Sequence, residues 1–174
     1  FGGAGLAVWA TSNPFTWTNG LVGYWSFDGQ YTTSTAGTRD VSNNGNWGAF
    51  VGGVKPVPGV VGQALSFDGA DDYVNAGNGA SLNITGSLTM EAWVKFLTYE
   101  SGGIIDKTYS SGGYMMWIEN SAQMVLYVNS TAKALLVPPP LNEWHHIVGI
   151  VDSNFTQFYL DGVAQATTTG IVPT

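Results

Sequence analysis

Cysteine is absent from this 174-residue chain, which removes thiol catalysis, thiolate metal sites and disulfide staples together. Positive charge is scarce as well. Five Lys and Arg stand against twelve Asp and Glu, a formal net charge of -7. Such a surface repels phosphate backbones and anionic lipid headgroups, so nucleic acid and polybasic membrane docking are not expected. No apolar run reaches the roughly 20 residues of a bilayer-spanning helix, so the mature domain is not expected to insert directly into a membrane. Sustained helical periodicity is missing too, which argues against an α-helical fold.

What is present is the composition of short strands and tight turns. The chain has 24 Gly and 13% aromatics, with only 10% charged residues, and Thr, Ser, Asn and Val fill much of the rest. Such a chain can bury a core, unlike a disordered tail. The length suits one domain. No charge precedes Asp28. Residues 1–20 read as a leader or the remnant of a signal peptide, with Val8-Trp9-Ala10 as a small-residue cleavage site. The domain proper is expected over 21–174.

Strand patterns recur at short intervals from there. Leu21 to Phe27 alternates, and a polar stretch follows from Asp28 to Gly48. Lys55-Pro56-Val57-Pro58-Gly59 reads as punctuation, because two prolines cannot sit in a central strand. Leu88 to Phe96 has the clearest alternation, with Leu88, Met90, Ala92 and Val94 on one side and Thr89, Glu91 and Trp93 on the other. Gly113 to Glu119 and Gln123 to Val128 predict a hairpin. Trp144 to Val151 and Thr156 to Leu160 predict another, followed by a tight turn at Asp161-Gly162. About ten strands with no crossover helix imply an all-β antiparallel sandwich.

Five motifs then make a resemblance specific. They are Gly23-Tyr24-Trp25-Ser26-Phe27-Asp28, Ala64 through Val74, Met90-Glu91-Ala92-Trp93-Val94-Lys95, Trp144-His145-His146-Ile147-Val148 and Phe158-Tyr159-Leu160-Asp161-Gly162. In this order the chain resembles the LamG-like (laminin G-like) jelly-roll family. The resemblance implies a concanavalin A-like antiparallel two-sheet jelly-roll sandwich. It also implies a non-catalytic binding or adhesion module of a secreted or cell-surface protein, with a glycan or an extracellular protein as ligand. The lack of cysteine suits a bacterial source. A structural spacer in a surface protein or fibre is the alternative, and a glycoside hydrolase a third. Such domains usually close with further strands after the position of Ile171-Val172-Pro173-Thr174, so these are expected to be missing here.

Candidate chemistry is sparse. A retaining glycosidase needs two carboxylates about 5–5.5 Å apart, and no strand carries acids two or four apart on one face, so no catalytic residue is assigned. His145 and His146 face opposite ways, and the resemblance makes His146 a packing partner of the strand Trp. Asp40-Val41-Ser42-Asn43-Asn44-Gly45-Asn46 looks like the front of a calcium loop, but the closing Glu would fall at Val51, which excludes an EF-hand. Relatives often hold structural Ca2+ near the first strand, which implicates Asp28, with Asp40, Asn44 and Asn46 as companions. The alternative is that these side chains satisfy turn amides. Ring faces suited to sugars point to Trp47, Trp117, Tyr114 and Tyr127 as ligand contacts, whereas Trp25, Trp93 and Trp144 sit at packing positions of the family. Asn83, Asn129 and Asn154 open glycosylation sequons.

Overall fold

The computed structural model describes residues 20–29, 32–33, 36–109, 112–121, 123–169 and 173. The leader expected over 1–20 therefore lies, apart from Gly20, outside the described residues. The strands are β1 (Thr32–Thr33), β2 (Gly37–Thr38), β3 (Gly48–Val51), β4 (Lys55–Pro58), β5 (Gln63–Ser66), β6 (Tyr73–Asn75) and β7 (Leu88–Val94). They continue as β8 (Gly102–Tyr109), β9 (Gly112–Asn120), β10 (Gln123–Val128), β11 (Thr131–Leu136), β12 (His145–Val151), β13 (Phe155–Leu160) and β14 (Val163–Thr169). One 3-10 turn, Ala80–Leu82, is the sole helical element among the described residues.

Two four-stranded antiparallel sheets form the sandwich. One runs β11-β10-β9-β8 and the other β14-β13-β12-β7. Their inward residues alternate as the strand period requires. Leu88, Met90, Ala92 and Val94 from β7 meet Tyr114, Met116 and Ile118 from β9 and Met124, Leu126 and Val128 from β10. Ile147, Val151 and Phe158 complete this core at 0% exposure. The sheets pack closely at Gly149, where a Cβ would stand 2.6 Å from a Leu126 methyl and 3.2 Å from the Met116 Cε. Glycine there lets facing side chains interdigitate.

The N-terminal strands form a third sheet, β1-β2-β3-β6, and the hairpin β4-β5. Phe27, Val54 and Leu65 make its small core, with Trp25, Phe50, Phe67 and Val74 packed against it. Two expectations change here. Leu21 to Phe27 joins no ladder among the described residues: Tyr24 instead donates its amide to Asp40 Oδ1 and accepts from the Val41 amide. Phe27 has φ 61°, a left-handed conformation that a strand cannot continue through. Lys55 to Pro58, expected as punctuation, is strand β4. Among the described residues it pairs with β5 alone, the edge placement that proline tolerates. The polar stretch also hides β1 and β2, too short to show a period.

Among the described residues β7 pairs only with β12 and β8 only with β9. A groove of about 1640 Å³ runs between these strands and residues 21–27. Asp161-Gly162 forms the tight turn expected, with φ 50° and 79°.

Phe158→Ala should cost about 3–5 kcal/mol, because it opens a large void in a core that is already closed. Urea unfolding would show this as a lower midpoint at an unchanged m-value.

Candidate functional site

The outer face of the β8–β11 sheet carries the most developed surface. Because Tyr114, Met116 and Ile118 point inward, Met115, Trp117 and Glu119 must point out. The register sets Trp117 opposite Val125 on β10 and opposite Gly103 on β8. Tyr127 faces Met115 across the same pair. Val125 lies outside the main core, yet it is 2% exposed, so side chains of the outer face close over it.

Trp117 is held in place by its neighbours. A Cβ on Gly103 would meet the benzenoid edge of the indole at 3.3 Å, a tight contact that glycine avoids. The indole Nε1 donates to Ser101 Oγ at 3.1 Å. Asp106 reaches the same spot, its Cβ 3.5 Å from that point on Gly103. On the other side, Tyr127 donates its hydroxyl to Glu119 Oε1. That bond, with burial and the charge of Glu119, pushes the Tyr127 hydroxyl above its ordinary pKa. The result is two partly exposed rings, each polar tip tethered, with one carboxylate at either side. Flat rings beside hydrogen-bonding edges suit the C–H faces and hydroxyls of pyranoses.

Two other expected contacts lie elsewhere. Tyr114 is 5% exposed and donates its hydroxyl to the Leu82 carbonyl at 2.9 Å. Burial pushes that hydroxyl up to about 12, so Tyr114 serves the core. Trp47 is 48% exposed but precedes β3 in the N-terminal sheet, apart from the Trp117 face. The histidines do diverge. His146 stacks on Trp93 with ring centroids 5.3 Å apart and lies 3.6 Å from Glu91. His145 Nδ1 lies 2.8 Å from Asp161 Oδ2.

Three of the four residues expected near a cation form one hydrogen-bonded hub. Asp40, 3% exposed, accepts at Oδ1 from the Tyr24 and Ser42 amides at 3.0 and 2.9 Å. At Oδ2 it accepts the Asn46 amide at 3.0 Å and the Asn46 side chain at 3.2 Å. Asn46 also donates to Val22 O and Ser81 Oγ, and Asn44 donates to Leu21 O at 2.9 Å. The hub thus ties residues 21–24 and Ser81 to one turn. Asp28 is bonded separately, accepting from the Gln63 amide at 3.1 Å. A different acidic group, Asp68, Asp71 and Asp72, brings ligand oxygens within 4.8 Å of one another. Two of its members cap local amides: Asp72 accepts from Gly53 and Asp68, and Asp68 accepts from Ala70.

The family model described as the concanavalin A-like lectin/glucanases superfamily matches residues 67–174. This chain belongs to that superfamily. The match bears out the laminin G-like resemblance and the antiparallel sandwich. Domains of this superfamily are often binding modules, although some members are glycosidases. No curated protein and no solved structure matches the chain. No described helix is long and apolar enough to cross a membrane.

Sequence reasoning missed Asp106 and Ser101. Glu119 could have been found two residues along the face from Trp117. Asp106 could not, because the β8–β9 register shifts between Gly103 and Ile105.

The hub predicts acid sensitivity. Burial would raise the Asp40 pKa, but hydrogen bonds from the Ser42 side chain and from the Tyr24, Asn46 and Ser42 amides hold it below its ordinary 3.8. A depressed carboxyl stabilises the fold above its unfolded value, and that stability is lost as pH falls through the folded value. Asp40→Asn, which sets an amide against amide donors, should cost about 1–3 kcal/mol at pH 7. Urea melts of the two proteins should converge below about pH 4.

Proposed function

We propose that this superfamily member is a non-catalytic glycan-binding module of a secreted or cell-surface protein. The observation that carries the reading is the tethered Trp117–Tyr127 pair on an outer sheet face. Ring stacking needs a flat, pre-set surface and no titrating pair, and that is what this face offers.

The placement of carboxylates supports binding over hydrolysis. Asp106 stands opposite Met115, four residues along β9 from Glu119. At about 3.3 Å per residue their backbones are roughly 13 Å apart. Each carboxylate is turned to a partner of its own, Asp106 to Thr108 and Glu119 to the Tyr127 hydroxyl, rather than to the other acid. Glu91 belongs to the other sheet, and its near neighbour is His146 at 3.6 Å.

A glycan array is the deciding experiment. A clear hit profile is expected, and Trp117→Ala should weaken the best hit tenfold or more, about 1.4 kcal/mol. Its melting temperature should stay near that of the parent, because the ring lies outside the core. Silence across the array, together with tight self-association, would assign the domain to a spacer role instead.

Calcium can be tested in the same preparation. The oxygens of Asp40 already accept four N–H groups, so Asp68, Asp71 and Asp72 are the carboxylates nearest to a cation's needs. Calcium support of their loop predicts a higher melting temperature in millimolar calcium, lost in Asp71→Asn. An unchanged melt would leave the three as loop caps.

A further inference from the structure

Resting on the glycan-binding reading of the Trp117 face, we propose that Asp106 and Glu119 select the charge of the sugar. The site takes uncharged or amine-bearing pyranose glycans and rejects sulfated and uronate-bearing ones.

The register puts the two acids on the Trp117 face, one to either side of the ring along the ladder. Glu119 is the same-face neighbour of Trp117 two positions along β9, and its Oε1 is fixed by the Tyr127 hydroxyl. Asp106 pairs with Met115, the same-face neighbour of Trp117 on the other side, and its Cβ lies 3.5 Å from the Cβ position of Gly103, which the indole edge also approaches. Its Oδ1 takes the Thr108 amide at 2.9 Å and the Thr108 hydroxyl at 2.7 Å, which holds the carboxylate at the strand surface. A pyranose stacked on Trp117 therefore lies between two negative groups, and its substituents must point toward at least one of them.

Among the described side chains, the basic groups have other settings. Lys107, next along β8, alternates to the other face opposite Tyr114 and bonds to Asn78. Lys95 follows β7 in the opposite sheet, and Arg39 follows β2. The whole chain is acidic, at -7. An anionic substituent would meet repulsion from both sides of the ring, whereas an ammonium group would gain a partner. A hydroxyl can donate to either carboxylate.

Affinity electrophoresis of the intact domain tests this with laminarin and hydroxyethyl cellulose as uncharged probes, and heparin and alginate as anionic ones. Chitosan oligosaccharides, the cationic probe, are titrated calorimetrically. At low salt, an uncharged or cationic probe should be bound in a Trp117-dependent way, and the anionic probes at least tenfold more weakly. The variant Asp106→Asn/Glu119→Gln keeps the shapes and most hydrogen bonds. It should raise the ratio of anionic to uncharged binding by about tenfold, as two surface charges at contact distance allow. Trp117-dependent binding of heparin or alginate by the parent, as tight as that of laminarin, would overturn the charge rule and keep the platform. An unaltered ranking in the double variant would overturn it too. No Trp117-dependent binding of any probe would overturn both.

Discussion

Everything in the sandwich depends on how closely the two sheets approach. At Gly149 the absence of a side chain lets Leu126 and Met116 reach the facing backbone, and the surrounding inward residues close to near-zero exposure. Close packing of this kind leaves little freedom to rotate or slide a strand, because shifting the register by one residue would turn every apolar side chain outward. Pinned inward faces decide the outward ones. The ring platform exists because Met116 and Leu126 are held on the inside.

A polar counterpart operates at the N-terminal side, where the apolar core is small. There Phe27, Val54 and Leu65 form the buried apolar cluster, and hydrogen bonds converging on Asp40 tie the adjoining segments together. The two halves therefore respond to different insults. Loss of apolar volume acts on the sandwich, whereas protonation acts on the turn that holds residues 21–24.

The sandwich was legible wherever alternation was clean. β7, β9, β10, β12 and β13 all fall within a few residues of their expected spans, and the inward set of β7 is the one its period implies. Reading failed where partners decide the outcome. Leu21 to Phe27 alternates like a strand, but positive φ at Phe27 and bonding to Asp40 take it out of any ladder. Lys55 to Pro58 reads like a break, but an edge tolerates two prolines. At the candidate site, aromatic type pointed to Trp117 and Tyr127 and also to Tyr114, which lies on the inward phase of the pleat. The neighbours of the rings depend on register across β8, β9 and β10, which bulges shift without any local mark.

Strand β9 serves the interior and the surface by turns: Tyr114, Met116 and Ile118 face one way, Met115, Trp117 and Glu119 the other. The platform's backbone is thus immobilised by the core beneath it, and its ring tips by Ser101 and Glu119. A ligand arriving there would meet side chains whose rotational freedom was surrendered when the chain folded. Little conformational entropy is left to lose on association, so even a few stacked contacts retain most of their gross attraction as affinity.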